Sequence, residues 1–305
     1  MITRRQFTKA ALGGLALPVL TRRTSDTGLV RGVRLGVQTY SFREIARGGT
    51  AGAVNVILDS MKRCGFDECE LYSPQIEASP SAPPGASAAD QATAREALRQ
   101  WRLSKGPTFY EGIRQRFKTA GATIYAYNLS FTESFTDEEI DRGFEAARAL
   151  GAEVITASTT IRAAKRLVPF ADKHRMPVAM HNHSRVDDPN EFATPESFAA
   201  ALAMSPLFRI NLDIGHFTAA NFDALAFLEA HHARITNLHI KDRKKNQGDN
   251  VPWGQGDTPI QETLKWLQRR KSPIRAYVEY EYAGTRGVVT EVSACADFAR
   301  KALTA

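Results

Sequence analysis

Four short stretches in the second half of the chain carry side chains that bind metal ions or move protons. MHNHSR (180–185) holds His181 and His183, and LDIGHF (212–217) holds Asp213 and His216. LHIKD (238–242) holds His239 and Lys241, and VEYEY (278–282) holds Glu279 and Glu281. Each stretch closes an apolar run rich in β-branched residues. Alternate residues of a strand share a face, so His181 and His183 project together if the run stays extended, as do His239 and Lys241. Imidazoles and carboxylates together form a ligand set for Mn²⁺, Fe²⁺, Co²⁺, Ni²⁺ or Zn²⁺. Histidine also titrates close to neutrality and is the commonest carrier of protons in catalysis. Any one of these residues is as readily a helix cap or a loop hydrogen bond. Four successive runs, each ending in a metal-competent side chain, form a pattern that capping alone does not explain.

Those residues need elements that bring them together. Eight strand candidates run at 33–40, 66–72, 122–128, 152–158, 176–182, 208–215, 235–242 and 275–282. Between and after them lie runs with helical spacing at 51–64, 136–150, 160–174, 194–204, 222–233, 259–270 and 288–303. Thr136 before Asp137-Glu138-Glu139, and Thr194 before Pro195-Glu196, are helix-start signals. Strands alternating with helices pair in parallel through crossovers, and eight such units predict an α/β chain folded as a (β/α)8 TIM barrel over 31–305. The first strand candidate runs into SFRE rather than a Gly-rich phosphate turn, which argues against an open dinucleotide-binding sheet. In a barrel, chemistry gathers at the C-terminal ends of the strands. That rim adds Glu70, from FDECELY, as a holder of a substrate hydroxyl or of another site residue. Tyr40, Phe42 and Trp253 are aromatic walls for a ring-shaped substrate, although aromatic residues are more often core. Lys241 is placed to polarise a carbonyl, with a solvated lysine as the plain alternative; Glu281 reads equally as a loop carboxylate. The Ser-, Ala- and Pro-rich segment 73–107, with a helix expected over 90–102, is a lid or an insertion.

Composition narrows the function classes. The chain has 305 residues, 43% of them hydrophobic, enough for a large core without staples, and its three cysteines form no CxxC pair. The formal charge is +7, but Arg4, Arg5, Lys9, Arg22 and Arg23 precede any acid, so the rest of the chain carries only +2. Lys241, Arg243, Lys244 and Lys245 form a short basic run without interleaved aromatics, so no nucleic-acid partner is expected. Residues 1–25 read as an export signal: Arg4-Arg5 with Phe7 and Lys9, then an apolar stretch too short to span a bilayer. That pattern resembles the bacterial twin-arginine signal. The expectation is a periplasmic protein with no membrane span beyond the signal; whether it assembles as a homo-oligomer is left open.

LDIGHF, LHIKD with the following PWGQGD, and the acidic end of the last strand together resemble the xylose isomerase-like TIM barrels, over roughly 33–303. That group includes sugar isomerases and epimerases, dehydratases and the endonuclease IV branch. GVQTYSF and the Glu70 stretch agree with it. The resemblance implies one divalent ion (Mn, Zn, Co, Fe or Mg) held by residues of strands five to eight. Asp213, His239 and Glu279 match three of the ligands, and His181 stands where relatives carry a glutamate. It further implies His183 as a group that contacts substrate or moves a proton, with the opposite assignment, His183 on the ion, still open. His216 matches the D-x-x-H histidine that faces substrate oxygens. The implied activity is a metal-dependent isomerase, epimerase or lyase acting on a sugar by proton abstraction next to a carbonyl, with His183, Glu279 and Lys241 as catalytic candidates. The replaced glutamate weakens a symmetric two-glutamate epimerase in particular. An endonuclease IV-like nuclease and a noncatalytic sugar-binding barrel are the alternatives.

Overall fold

A computed structural model describes residues 28–48, 52–78, 82 and 85–305; the expected export signal lies outside the described residues. Eight strands form the barrel: β1 (Val33–Gln38), β2 (Glu68–Tyr72), β3 (Thr123–Asn128), β4 (Val154–Ala157), β5 (Val178–His181), β6 (Phe208–Asp213), β7 (Ile235–Ile240) and β8 (Arg275–Val278). Every neighbouring pair is parallel, and β8 pairs in parallel with β1 through Leu35–Ala276, Gly36–Tyr277 and Val37–Val278. The sheet is therefore closed, a (β/α)8 barrel. A two-residue strand, Leu29–Val30, turns back antiparallel onto the start of β1.

The outer layer comprises α1 (Ala53–Cys64), α2 (Ala88–Ser104), α3 (Pro107–Thr119), α4 (Asp137–Leu150), α5 (Ile161–His174), α6 (Pro195–Met204), α7 (Ile214–Ala219), α8 (Ala224–His231), α9 (Ile260–Arg270) and α10 (Val288–Thr304). The starts predicted from Thr136 and Thr194 are capping boxes, closed by Glu139 and Ser197 respectively. Among the described residues no helix is long and apolar enough to cross a membrane.

One feature departs from the pattern expected of the sequence. LDIGHF does not run on as strand: Asp213 ends β6 and its carboxylate accepts the His216 N–H at 2.7 Å, starting α7 at once. Within the segment 73–107 the helix expected over 90–102 forms as α2, laid against α4 on the outside. Arg102 makes a two-pronged pair with Glu77 at 2.8 and 2.9 Å, and Arg95 pairs with buried Glu139 at 2.6 Å. Both guanidinium groups lie over the Phe135 ring. These contacts hold α2 to the barrel wall.

The barrel interior is graded. Its lower part is apolar and aromatic, with Ala126, Val154, Ala179 and Tyr277 packed together. Gly36 makes room there, since a Cβ at this position would fall 2.5 Å from the Tyr277 ring. Above that layer the interior turns polar.

Candidate active site

The polar layer is organised around Glu70, which has no exposed surface. Its carboxylate accepts from Gln38 at 2.5 Å, Asn128 at 3.0 Å and Asn237 at 2.8 Å, and lies 3.0 Å from His239 Nε2. These partners come from β1, β3 and β7, so one carboxylate ties opposite walls of the barrel. A buried carboxylate needs such saturation, because each unpaired lone pair would cost desolvation energy.

One level higher, the ends of β5 to β8 converge. One donor atom each from His181, Asp213, His239 and Glu279 lies within 4.8 Å of the others, and all four residues are buried. Three of them are oriented from behind. Ser158 Oγ sits 3.0 Å from His181 Nδ1, which turns His181 Nε2 toward Asp213 Oδ2 at 3.4 Å. Glu70 engages His239 Nε2, which leaves Nδ1 for the cluster. That Nδ1 is buried, 3.4 Å from Glu279 Oε2, and has no hydrogen-bond partner. Asp213 is fixed through its backbone: Asn182 accepts from the Asp213 N–H at 2.9 Å and donates to its carbonyl at 3.1 Å. The asparagine between the two histidines of MHNHSR thus clamps the neighbouring strand.

These residues fit a divalent ion. Two imidazoles and two carboxylates are a complete donor set, an orphaned buried Nδ1 points into the cluster, and the partners behind each imidazole are those that orient metal ligands. The electrostatics agree. Burial pushes the His181 imidazole down to about 4, so it is neutral at pH 7 with a lone pair available. Burial opposes ionisation of Asp213 and Glu279, but Lys241 and the neighbouring histidines together outweigh it and hold both carboxyls far below their usual range. Burial likewise disfavours charge on His239, yet Glu70 and Glu279 raise it well above the ordinary histidine value. An excess of negative charge awaiting a cation produces this shift, and a bound ion would displace the proton.

Lys241 reaches the same centre from β7. Its ammonium lies 2.8 Å from Asp213 Oδ2, 2.9 Å from Glu279 Oε2, 2.5 Å from Glu281 Oε2 and 2.9 Å from His216 Nε2. It is not a solvated lysine: only 3% of its side chain is exposed. Gly215 admits it, since a Cβ there would meet Lys241 Cγ at 2.6 Å. Burial lowers the His216 imidazole well below its ordinary value, and Lys241 adds to this. Arg243 donates to its Nδ1 at 2.7 Å.

Above the cluster opens a cavity of about 240 Å³. His183, His216, Lys241, Glu281 and Tyr40 line it. His183 is partly exposed, with Nδ1 3.3 Å from Glu191, and stands beside the cluster rather than in it. Glu70 does not line the cavity and serves the second of its two expected roles, holding another site residue. Phe42 is core. Trp253 packs edge-on against Phe298, with ring centroids 5.9 Å apart, away from the cavity; the stacking wall is instead Tyr40 with Tyr72, edge to face at 5.0 Å. No described residue of 73–107 lines the cavity. Sequence reading passed over Gln38, Asn128, Ser130 and Ser158, which complete the wall. Gln38 and Asn128 close β1 and β3 and Ser158 follows β4, a position that could have flagged them.

The match to a family model covers residues 58–297, described as the xylose isomerase-like TIM barrel. The chain belongs to this family. No curated protein matches it by sequence. Among solved structures, the 3-keto-D-glucoside 4-epimerase of E. coli is similar at 13% identity and TM-score 0.62, over 88% of this chain and 99% of that one. The probable 3-DHS dehydratase of Bacillus anthracis is similar at 16% identity and TM-score 0.56, over 88% and 97%. The IOLI protein, solved with a zinc atom, is similar at 15% identity and TM-score 0.57, over 88% and 96%. At such identities the xylose isomerase-like barrel is what is shared.

Proposed function

We propose that this protein is an exported, divalent-metal-dependent enzyme that isomerises or epimerises a sugar or keto-sugar, with elimination from the same substrates as the close alternative. The observation that carries the reading is the buried four-donor cluster with its orphaned His239 Nδ1, set beneath a polar cavity. At about 240 Å³ the cavity is smaller than sites for drug-sized ligands and suits one sugar ring. The likeness to an epimerase and to a dehydratase supports the reaction class without choosing within it. Arg4-Arg5-x-Phe7-x-Lys9 supports the twin-arginine route to the periplasm.

The ligands are His181, Asp213, His239 and Glu279. A divalent ion bound there supplies Lewis acidity to a carbonyl or neighbouring hydroxyl oxygen. The chain's own residues do the rest. His183, at the cavity wall with burial lowering its imidazole below the ordinary value, accepts the proton from the carbon next to the carbonyl. Lys241, its N–H groups held by the carboxylates and His216, lends positive charge beside the oxygen on which negative charge develops. Glu279 holds Lys241 in place from the ligand side. Gln38 and Asn128 fix the ring, and Tyr40 covers one face of it.

Turnover of a panel of keto sugars and glycosides by metal-loaded protein, with and without chelator, tests the reading. Chelator-sensitive isomerisation or elimination is expected. Turnover that persists after the metal is stripped would sink the metal role, and sugar binding without turnover on any candidate would leave a binding barrel.

A further inference from the structure

The cavity reads hydroxyls and has no place for an anion. We propose that the substrate is an uncharged, monosaccharide-sized carbonyl polyol or its glycoside, and that sugar phosphates and sugar acids are discriminated against. This rests on the sugar-enzyme reading above and names the substrate class for it.

Three observations carry it. The first is the orientation of the wall. Gln38 gives its amide N–H to Glu70, and its carbonyl accepts the Tyr40 N–H at 3.1 Å. Asn128 gives its amide nitrogen to Glu70 and to Thr156 Oγ1 at 3.1 Å. The Asn128 carbonyl oxygen is then left for a ligand, beside the second Gln38 N–H, which a sugar hydroxyl satisfies. A carbonyl accepts from a hydroxyl and repels a phosphate or carboxylate oxygen.

The second is charge. Asp213, Glu279 and Glu281 surround Lys241, the one lysine or arginine lining the cavity among the described residues. A divalent ion and Lys241 together just offset these three carboxylates, so no positive charge is left for an anionic substituent. Arg243 does not supply one. Its N–H groups go to His216, to Ser184 Oγ at 3.0 Å and to the Gly248 carbonyl at 2.6 and 3.1 Å.

The third is the loops. In barrels a phosphate is commonly taken by backbone N–H groups after the seventh and eighth strands. Here the chain's own carboxylates hold those groups. Asp242 accepts the N–H groups of Gly254, Gly256 and Thr258 at 2.8, 2.9 and 3.3 Å. Glu291 accepts the Arg286 N–H at 3.1 Å and its guanidinium at 2.6 Å.

The test is calorimetric binding to the Mn²⁺-loaded full chain of neutral ketohexoses and 3-keto glycosides, alongside their 6-phosphates and the matching hexuronates. The expected result is saturable binding of a neutral member at least tenfold tighter than its charged counterparts. Equal or tighter binding of a phosphate or uronate overturns the proposal, as does failure of every neutral member to bind at millimolar concentration. Neutral-selective binding that is indifferent to Mn²⁺, or occurs without turnover, would sink the metal-enzyme reading and leave this one standing. A gain-of-binding variant adds a second arm. Ser130→Lys places a cation in the neutral wall, and the preference for neutral over phosphorylated ligand should shrink about tenfold while Mn²⁺ stoichiometry stays the same. An unchanged preference in a folded, Mn²⁺-binding variant counts against the electrostatic account.

Discussion

His239 shows how much of this site depends on residues that never meet the substrate. One of its nitrogens is held at 3.0 Å by Glu70 and the other is buried without a partner. Removing the Glu70 charge in Glu70→Gln should lower metal affinity by about ten- to a hundredfold, the range for groups that orient ligands from behind; competition with a fluorescent chelator measures this. His181→Ala and Glu279→Ala remove donors outright and should leave the purified protein with well under one equivalent of metal by elemental analysis. Gly215→Ala probes the other cation. Its Cβ would press on Lys241 Cγ at 2.6 Å and on the Lys241 carbonyl at 2.9 Å, so either β7 or the lysine must move. Activity should fall more than tenfold while metal content is retained, since Asp213 Oδ1, the one ligand atom near that Cβ, stays at an ordinary contact distance of 3.4 Å. Loss of metal together with activity would mean that the strand, rather than the lysine, had shifted.

The elements divide into those the sequence announces and those it hides. Eight helical stretches, the one over 90–102 included, and eight strands are legible because their periodicity is strong or their starts are marked, as at Thr136, whose side chain accepts the Glu139 N–H at 3.3 Å. The ligand quartet is legible for a related reason: a charged side chain seldom closes an apolar run unless something there pairs with it. α7 is hidden because Asp213 is both candidate ligand and helix cap, so the strand pattern passes into the helix without a break. α3 is hidden behind the low-complexity stretch before it. Gln38, Asn128 and Ser158 carry no charge, and a neutral polar residue at a strand end is too common to single out. Glu70 could be found but not placed, because its partners come from four other strands, β1, β3, β6 and β7. α2 is held chiefly by ion pairs, which makes it separable from the site. Arg102→Ala would strand the nearly buried Glu77 carboxylate and should cost roughly 3 kcal/mol of stability by the usual penalty for breaking a buried pair. Metal binding should be unaffected. Denaturant titration and elemental analysis on the same variant check both halves.

At the scale of the molecule, the buried histidines give metal-free protein a defined response to pH. His181, pushed down to about 4, and His216, also held low by burial, stay neutral in the fold at pH values where the unfolded chain protonates them. Unfolded protein therefore binds more protons as pH falls below about 6.5, and stability must fall with it. Depressed Asp213 and Glu279 extend the loss below about pH 4.5. His239, raised, works the other way: its contribution is complete below about 6.5 and is lost as pH rises through its folded value. Urea midpoints of chelator-treated protein should thus peak near neutrality and drop between pH 6.5 and pH 4; a flat profile there would show that the buried imidazoles take up protons freely. The same interior has a consequence for the order of events as the chain assembles. All four metal donors lie between residues 181 and 279, yet the group that aims His239 arrives on β2, and Ser158, which aims His181, follows β4. A nascent or half-docked chain can hold every ligand and still lack the aim to grip an ion. If the quartet holds an ion as proposed, tight capture is expected only once the last strand has met the first, and uptake of metal would report that the ring is shut.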